Sequence, residues 1–207
     1  VVQSPLRASA LRALGGHANV FAIESFMDEL AETAGIDPVE FRLKHLKDPR
    51  ARAVVETVAR KAGWKNAAVA EGRGRGIGFA RYKNLGCYLA VVVEIDLADA
   101  PRLTHAWAAV DVGLVVNPDG VINQIEGGII QAASMTLKEQ VSFDRDGVTS
   151  RTWNEYPVLK FSEAPQIDVT LVNRPELPPI GSGEGATGPT AAAIANAVAA
   201  ASGARVR

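Results

Sequence analysis

The sequence predicts an α+β fold, with a mixed, largely antiparallel sheet packed with helices and preceded by a small helical unit. Three observations lead there. Apolar residues recur at helical spacing from Val20 to about Ala62; they alternate with period two from Cys87 to Leu97; and Ala191–Ala201 is an almost unbroken run of alanine, isoleucine and valine. With 207 residues the chain makes one domain, or two small ones closely packed, and is long enough to bury a sizeable core. The expected division is a helical part over 1–71 and a sheet-plus-helix part over 72–207.

In chain order, Val1–Gly16 has no clear period and ends in Gly15-Gly16, as an irregular loop would. From Val20 a helix is predicted. Its stripe of Ile23, Phe26, Met27, Leu30, Ala31 and Ala34 is expected to face the core, with Glu24, Asp28, Glu29 and Glu32 outside and Gly35 at its end. Asp37-Pro38-Val39-Glu40 reads as a capping-box start with proline at the first helical position, giving a short helix to about Leu46. Asp48-Pro49 starts a third, with Val54, Val55, Val58, Ala59 and Ala62 inward before Gly63. Short connections predict that the three pack as a small unit.

Gly72-Arg-Gly-Arg-Gly76 marks the change of period and is expected to be a solvated turn. After it, Leu89, Val91, Val93, Ile95 and Leu97 share one face of a strand and Tyr88, Glu94 and Asp96 the other. A second strand, Leu103–Asp111, follows after a short link, which favours antiparallel pairing. Asn117-Pro118-Asp119 is a turn that opens a helix buried through Ile122, Ile125, Ile129, Ala132, Ala133 and Leu137. Gly127-Gly128 falls inside it, at a cost of about 1 kcal/mol per glycine relative to alanine, so close approach of a cofactor or of another helix is needed to explain the pair. Gln140–Thr149 reads as a hairpin turning at Asp144–Gly147, and Gln166–Asn173 as a further strand.

The stretch that carries chemistry is Pro178–Gly203. Gly181, Gly183, Gly185 and Gly188 surround Glu184, and glycines at this density allow positive φ and close approach of a ligand to free amide N–H groups. Pro189 suits the first turn of the helix that follows, and Gly203 its end. That helix is apolar on nearly every side and so is expected to be buried, with its positive N-terminal end at the glycine loop, an arrangement suited to an anionic ligand. The same residues also suit a plain connector with a solvated glutamate. No Gly-Lys-Ser/Thr follows, and no clear strand precedes, so neither the NTPase loop nor the dinucleotide fingerprint is present.

Bulk composition removes several function classes. The formal net charge is −1 with both signs interspersed, which leaves no nucleic-acid footprint. One cysteine, Cys87, excludes an internal disulfide or a cysteine-based metal or iron–sulfur site, and His17, His45 and His105 have no metal-ligand spacing. No hydrophobic run approaches the roughly 18 residues of a membrane-spanning helix.

The segment Gly181-Ser-Gly183-Glu184-Gly with the alanine-rich helix behind it resembles the Gly-x-Gly-Glu signature of the molybdopterin-binding large subunit of the molybdenum hydroxylases, the xanthine dehydrogenase and aldehyde oxidase family. Two further blocks match in the same order: Leu11-Arg12-Ala-Leu-Gly15 with Phe21–Leu30, and Asp111-Val-Gly113 through Asn117-Pro118 to Gln124–Gly128. The wording is most similar to the isoquinoline 1-oxidoreductase beta-subunit type. The resemblance covers only the C-terminal part of that subunit, so a larger polypeptide is expected, with the remaining pterin contacts on its earlier part and the two-iron two-sulfur clusters on a separate small subunit.

What the resemblance implies is a molybdenum–molybdopterin cofactor, in the cytosine dinucleotide form usual among bacterial members. The implied reaction is oxidative hydroxylation of an N-heterocyclic aromatic or an aldehyde, with water as oxygen source. Glu184 takes the role of general base. Arg12 and Leu14 line the substrate pocket, while Gly15, Gln124, Gly127, Gly128, Gly181, Gly183 and Gly185 contact the cofactor; no side chain binds the metal directly. Leu14 stands where xanthine oxidase-like members carry an aromatic, which disfavours stacking on a purine. The isolated segment is expected to be inactive. The alternative reading is a non-catalytic interaction or scaffold module that keeps the fold. Compartment is left open by the sequence.

Overall fold

A computed structural model describes residues 9–66 and 70–206. In order, the elements are α1 (Gly16–Thr33), α2 (Pro38–His45), α3 (Pro49–Lys61), β1 (Arg73–Arg81), β2 (Tyr88–Asp96), β3 (Arg102–Asp111), α4 (Pro118–Leu137), β4 (Phe143–Asp144), β5 (Gly147–Val148), β6 (Gln166–Leu171) and α5 (Thr187–Ser202). The main sheet runs β1-β2-β3-β6. Its first three strands are antiparallel and β6 joins β3 in parallel, so the sheet is mixed and largely antiparallel. β4 and β5 form the separate small hairpin.

Strand β2 explains the layering. Leu89, Val91, Val93 and Ile95 pack with α4 and α5, while Tyr88, Ala90 and Val92 pack with Val39 of α2 and Val54, Val55 and Val58 of α3. Both faces are therefore covered, and the helices α2 and α3 bury their apolar side chains on the sheet. Their starts follow the sequence: Asp37 accepts from the Val39 and Glu40 N–H groups, and Asp48 from that of Arg50. Glu40 does not complete the capping box, because its carboxylate pairs with Lys65 at 2.9 Å.

Two expectations are corrected. Gly72–Gly76 is not a solvated turn: only Gly72 (φ +75°) turns, and the Arg-Gly alternation that follows is strand β1. Alternation with glycine puts Gly74, Gly76 and Gly78 on the face toward α5, where an added Cβ would lie about 2 Å from the carbonyl oxygens of Ala197, Ala193 and Pro189 respectively (2.1, 2.2 and 2.2 Å). The glycines are there because helix backbone rests directly on strand backbone.

The second correction concerns α1, whose predicted stripe is buried at Ala31 but gives way at Glu24 and Asp28 to charged residues expected outside. Glu24, Asp28 and Ala31 are its buried residues, while Ile23, Phe26 and Leu30 are exposed. The cause is Arg42 of α2, itself 1% exposed. It donates to Glu24 Oε2 at 2.8 Å, to Asp28 Oδ1 at 3.4 Å and to the Glu24 carbonyl at 2.9 Å. Phe79 N–H and the Asn196 amide also bond to Glu24, at its Oε2 and its carbonyl, and Arg205 reaches Asp28 Oδ2 at 2.9 Å. Buried charges persist when paired in this way, and periodicity cannot anticipate the partner. Burial nevertheless pushes the Glu24 carboxyl upward, against the opposing pull of Arg42.

Candidate active site

The glycine loop is carried by a segment that runs alongside the end of β3. Val172 N–H donates to the Val110 carbonyl, Leu114 N–H to that of Leu177 and Ile180 N–H to that of Val112. Gly113 makes room, since a Cβ there would lie 2.2 Å from the Pro178 oxygen, and its φ is +71°. Asp111, fully buried, fixes the start of this run: it accepts from Arg50 at 2.5 and 3.0 Å, from Arg174 at 2.7 Å and from Gly113 N–H at 2.9 Å. Burial alone would raise its carboxyl; these donors outweigh it and hold the group below the usual aspartate range.

From there the chain turns in to α5, whose N-terminal residues Thr187–Ala197 are all buried. The glycines do not use left-handed backbone, contrary to expectation, since Gly181, Gly183, Gly185 and Gly188 all lie outside the positive-φ set. Gly185 and Gly188 serve steric clearance instead. An added Cβ would sit 2.3 Å from Cys87 Sγ in the first case and 3.0 Å from Val20 Cβ in the second. At Gly181 and Gly183 it would meet nothing within 4 Å. Cys87 N–H donates to the Gly181 carbonyl at 3.0 Å, so the start of β2 pins the loop. Burial pushes the Cys87 thiol up to about 12, and it is inert.

Glu184 is held at both oxygens. Oε1 accepts from Ala13 N–H at 2.9 Å, and Oε2 accepts a short bond from the Tyr82 hydroxyl, with Lys83 Nζ 4.0 Å from the same oxygen. The Tyr82 hydroxyl first, then the Ala13 N–H, hold this carboxyl below the usual glutamate range, so it is ionised at neutral pH. Arg12 spans the gap to α4. It donates to the Gly183 carbonyl at 2.7 Å, to Gln124 Oε1 at 2.9 Å and to Gln131 Oε1 at 3.2 Å.

Backbone strain gathers at the same place. Among the described residues the non-glycine positions of positive φ are Ala13 (+74°), Leu14 (+51°), Lys83 (+50°) and Asn84 (+57°). One pair begins at the residue whose N–H binds Glu184, and the other immediately follows the tyrosine that does. Left-handed backbone at such residues costs on the order of 1–3 kcal/mol each and is kept where surrounding structure imposes it, commonly at functional sites.

The predicted residues are thus brought together unevenly. Glu184, Arg12, Gln124 and Gly183 form one bonded group. Leu14 is half exposed beside it. Gly128 is explained by helix contact, because its Cβ would meet Ala186 Cβ at 2.9 Å, whereas Gly127 is open. Gly15 is near only Asn19, at 3.9 Å. Tyr82, Lys83 and Gln131 were not anticipated. A Tyr-Lys-Asn run before a glycine reads as an ordinary turn, and nothing local ties it to a glutamate far along the chain.

The site has the donors and the clearance that a pterin with its phosphate requires. Among the described residues no hydrogen bond within the chain engages the Ser182, Gly183 or Glu184 N–H, and the Thr187 hydroxyl at the start of α5 is buried without a partner. Gly127, Gly181 and Gly183 present bare backbone. An open groove of about 310 Å³ lies alongside, lined by Gln124, Ser182, Ile180 and Gly120 among others. Among the described residues no cluster of His, Cys, Asp and Glu is suited to hold a metal ion, and no helix is long and apolar enough to cross a membrane.

Comparison with known proteins identifies the family. The model of the molybdopterin cofactor-binding domain family matches residues 3–165. A nicotinate dehydrogenase subunit of Pseudomonas putida is 46% identical across 98% of the chain, which covers 18% of that relative, so the similarity includes the glycine loop. The beta subunit of isoquinoline 1-oxidoreductase from Brevundimonas diminuta is 39% identical over 78% of the chain and 21% of its own length. The chain therefore spans about a fifth of the length of these curated relatives. Among solved structures, the aldehyde oxidoreductase of Desulfovibrio gigas superposes with a TM-score of 0.79 over 97% of the chain and 40% of its own, at 16% identity, which establishes the shared fold. By the family model and by these identities, the chain belongs to the molybdopterin cofactor-binding domains of the xanthine dehydrogenase and aldehyde oxidase family, of the isoquinoline 1-oxidoreductase beta-subunit type.

Proposed function

We propose that this segment supplies the general base and part of the cofactor cradle of a molybdenum hydroxylase that oxidises N-heterocyclic aromatics or aldehydes, with water as the source of oxygen. The observation that carries the reading is the setting of Glu184: it accepts a hydrogen bond at each oxygen and is flanked by both strained non-glycine pairs. Those two donors keep the carboxylate in place before substrate arrives and hold it deprotonated, and they also lower its basicity, so proton transfer to it requires the Tyr82 bond to lengthen. Arg12 orients the loop through the Gly183 carbonyl and holds the Gln124 side chain by its oxygen.

The pterin would lie against Gln124, Gly15, Gly127, the bare backbone of Gly181 and Gly183 and the open amides of Ser182–Glu184, while Gly128 and Gly185 let Ala186 and Cys87 pack closely behind them; when bound, the molybdenum group would supply the two-electron redox chemistry. The protein's part is to take the proton at Glu184, orient the heterocycle and exclude water. Three further elements belong to this proposal: the cytosine dinucleotide form of the cofactor, an earlier part of the same polypeptide completing the pocket, and a small partner subunit carrying iron–sulfur clusters. The names of the two curated relatives, on nicotinate and on isoquinoline, favour N-heterocycles over aldehydes.

The test is Glu184→Gln in the complete complex. Molybdenum and pterin content, measured by elemental analysis and by fluorescence of the released pterin, are expected to be unchanged. Turnover of N-heterocycles is expected to fall by about 10²–10⁴-fold, the range for loss of a general base. Undiminished turnover would refute the assigned base and favour a non-catalytic module.

A further inference from the structure

We propose that Lys83 is a specificity residue that binds the anionic substituent of the substrate, so that the pocket prefers a heteroaromatic carboxylate to its uncharged analogue. This rests on reading the Glu184 site as the substrate pocket.

Lys83 sits on the loop between β1 and β2 in left-handed backbone, a conformation a lysine does not adopt without constraint. Its Nζ lies 4.0 Å from Glu184 Oε2 and 5.1 Å from the centre of the Tyr82 ring, with the side chain half exposed. Both Glu184 oxygens already have closer donors, in Ala13 N–H and the Tyr82 hydroxyl. The lysine is therefore not needed to satisfy the carboxylate, and at this distance it adds little to it. What it does is place an accessible positive charge beside the candidate base.

The electrostatics of the pocket depend on that charge. An ionised Glu184 repels an anionic substrate, and Lys83 Nζ is a half-exposed cation 4.0 Å from its Oε2. Arg12, the other nearby cation, has its guanidinium engaged with Gly183, Gln124 and Gln131. Lys83 also lines a groove of about 560 Å³ whose lining does not include Glu184, with Val20, Ile23, Met27 and Phe79 as its apolar wall and Arg81 as a second exposed cation. An ammonium at the border of a carboxylate site and an apolar groove suits a flat aromatic anion better than a neutral ring. A freely turning, strongly hydrated ammonium recognises such an anion as a point charge, without the fork geometry of arginine.

The test uses the matched pair pyridine-3-carboxylate and pyridine-3-carboxamide with the complete, cofactor-loaded complex, and measures equilibrium binding by titration calorimetry. Wild type is expected to bind the carboxylate more tightly than the amide. Lys83→Met is expected to weaken carboxylate binding by about tenfold or more, the effect of losing one charge-assisted hydrogen bond, with amide binding unchanged. Lys83→Arg is expected to retain most of the preference. A wild type that binds the two alike or binds neither overturns the proposal, as does a Lys83→Met variant that shifts both equally or leaves both unchanged. Glu184→Gln separates the two ideas: it is expected to lower turnover by about 10²–10⁴-fold while tightening carboxylate binding. If turnover survives Glu184→Gln yet Lys83→Met loses the anion preference, the base assignment fails and the specificity assignment stands.

Discussion

Gly78→Ala tests the contact that sets the position of the loop. Gly78 lies opposite Val91 in the β1–β2 register, with the first turn of α5 across it. An added Cβ would stand 2.2 Å from the Pro189 carbonyl oxygen and 3.0 Å from the carbonyl carbon. Relaxed contact lies near 3.5 Å, so the helix start must retreat by about 1 Å. Neither partner yields easily, because β1 is paired with β2 along its whole length and α5 is buried through Ala197. Overpacking of this kind costs about 1–3 kcal/mol, and the stiffer unfolded chain returns about 0.4–1 kcal/mol, for a net loss of about 1 kcal/mol. In a urea titration of the purified protein this lowers the midpoint by about 0.5 M with the slope unchanged. Gly127→Ala is the control, since its Cβ meets nothing within 4 Å. In mid-helix it is expected to raise stability by about 0.5–1 kcal/mol, and to lower cofactor content if the pterin lies there. A Gly78→Ala midpoint equal to wild type would refute the claim that glycine in β1 is required by the backbone of α5.

Three more outcomes follow from named groups. Arg42→Met leaves Glu24 and Asp28 buried without their shared guanidinium and is expected to cost about 3–5 kcal/mol, read as a lower thermal midpoint. Tyr82→Phe removes the first donor to Glu184, so the acid limb of the pH–rate profile of the complete enzyme is expected to move up toward the ordinary glutamate value while cofactor content stays constant. Asp111 has a folded-state pKa below its unfolded one, so its contribution is present above the unfolded value of about 3.9 and is lost as pH falls through the folded one. Asp111→Asn is expected to lower the urea midpoint at pH 7 and to flatten its fall below about pH 4, because the group that titrates there is gone.

Much of the fold is local chemistry that the chain spells out in order. Asp37-Pro38, Asp48-Pro49 and Asn117-Pro118 start helices because an acceptor side chain and a proline without N–H satisfy a helix start whatever lies around it. Gly203, at φ +72°, ends α5 for an equally local reason. The alternation in β2 fixes a strand with one apolar face, while cover on its second face comes from α2 and α3. The residues around Glu184 suit a plain connector equally well, and it is the resemblance to the Gly-x-Gly-Glu signature that singles this carboxylate out.

Only tertiary structure decided the rest. Which face of α1 is buried depends on Arg42, a residue of another helix, and a charge with a partner overrides the hydrophobic pattern at Glu24 and Asp28. The Arg-Gly alternation became a strand because α5, more than a hundred residues later, lies on it closely enough to forbid a Cβ. The partners of Glu184 come from an N-terminal loop and a β-turn with no fixed spacing to it, since hydrogen bonds between side chain and backbone act over distance in space and leave no period in the sequence. Sequence records what each short segment can satisfy by itself; contacts between segments determine what is buried, what is strained and which charges meet.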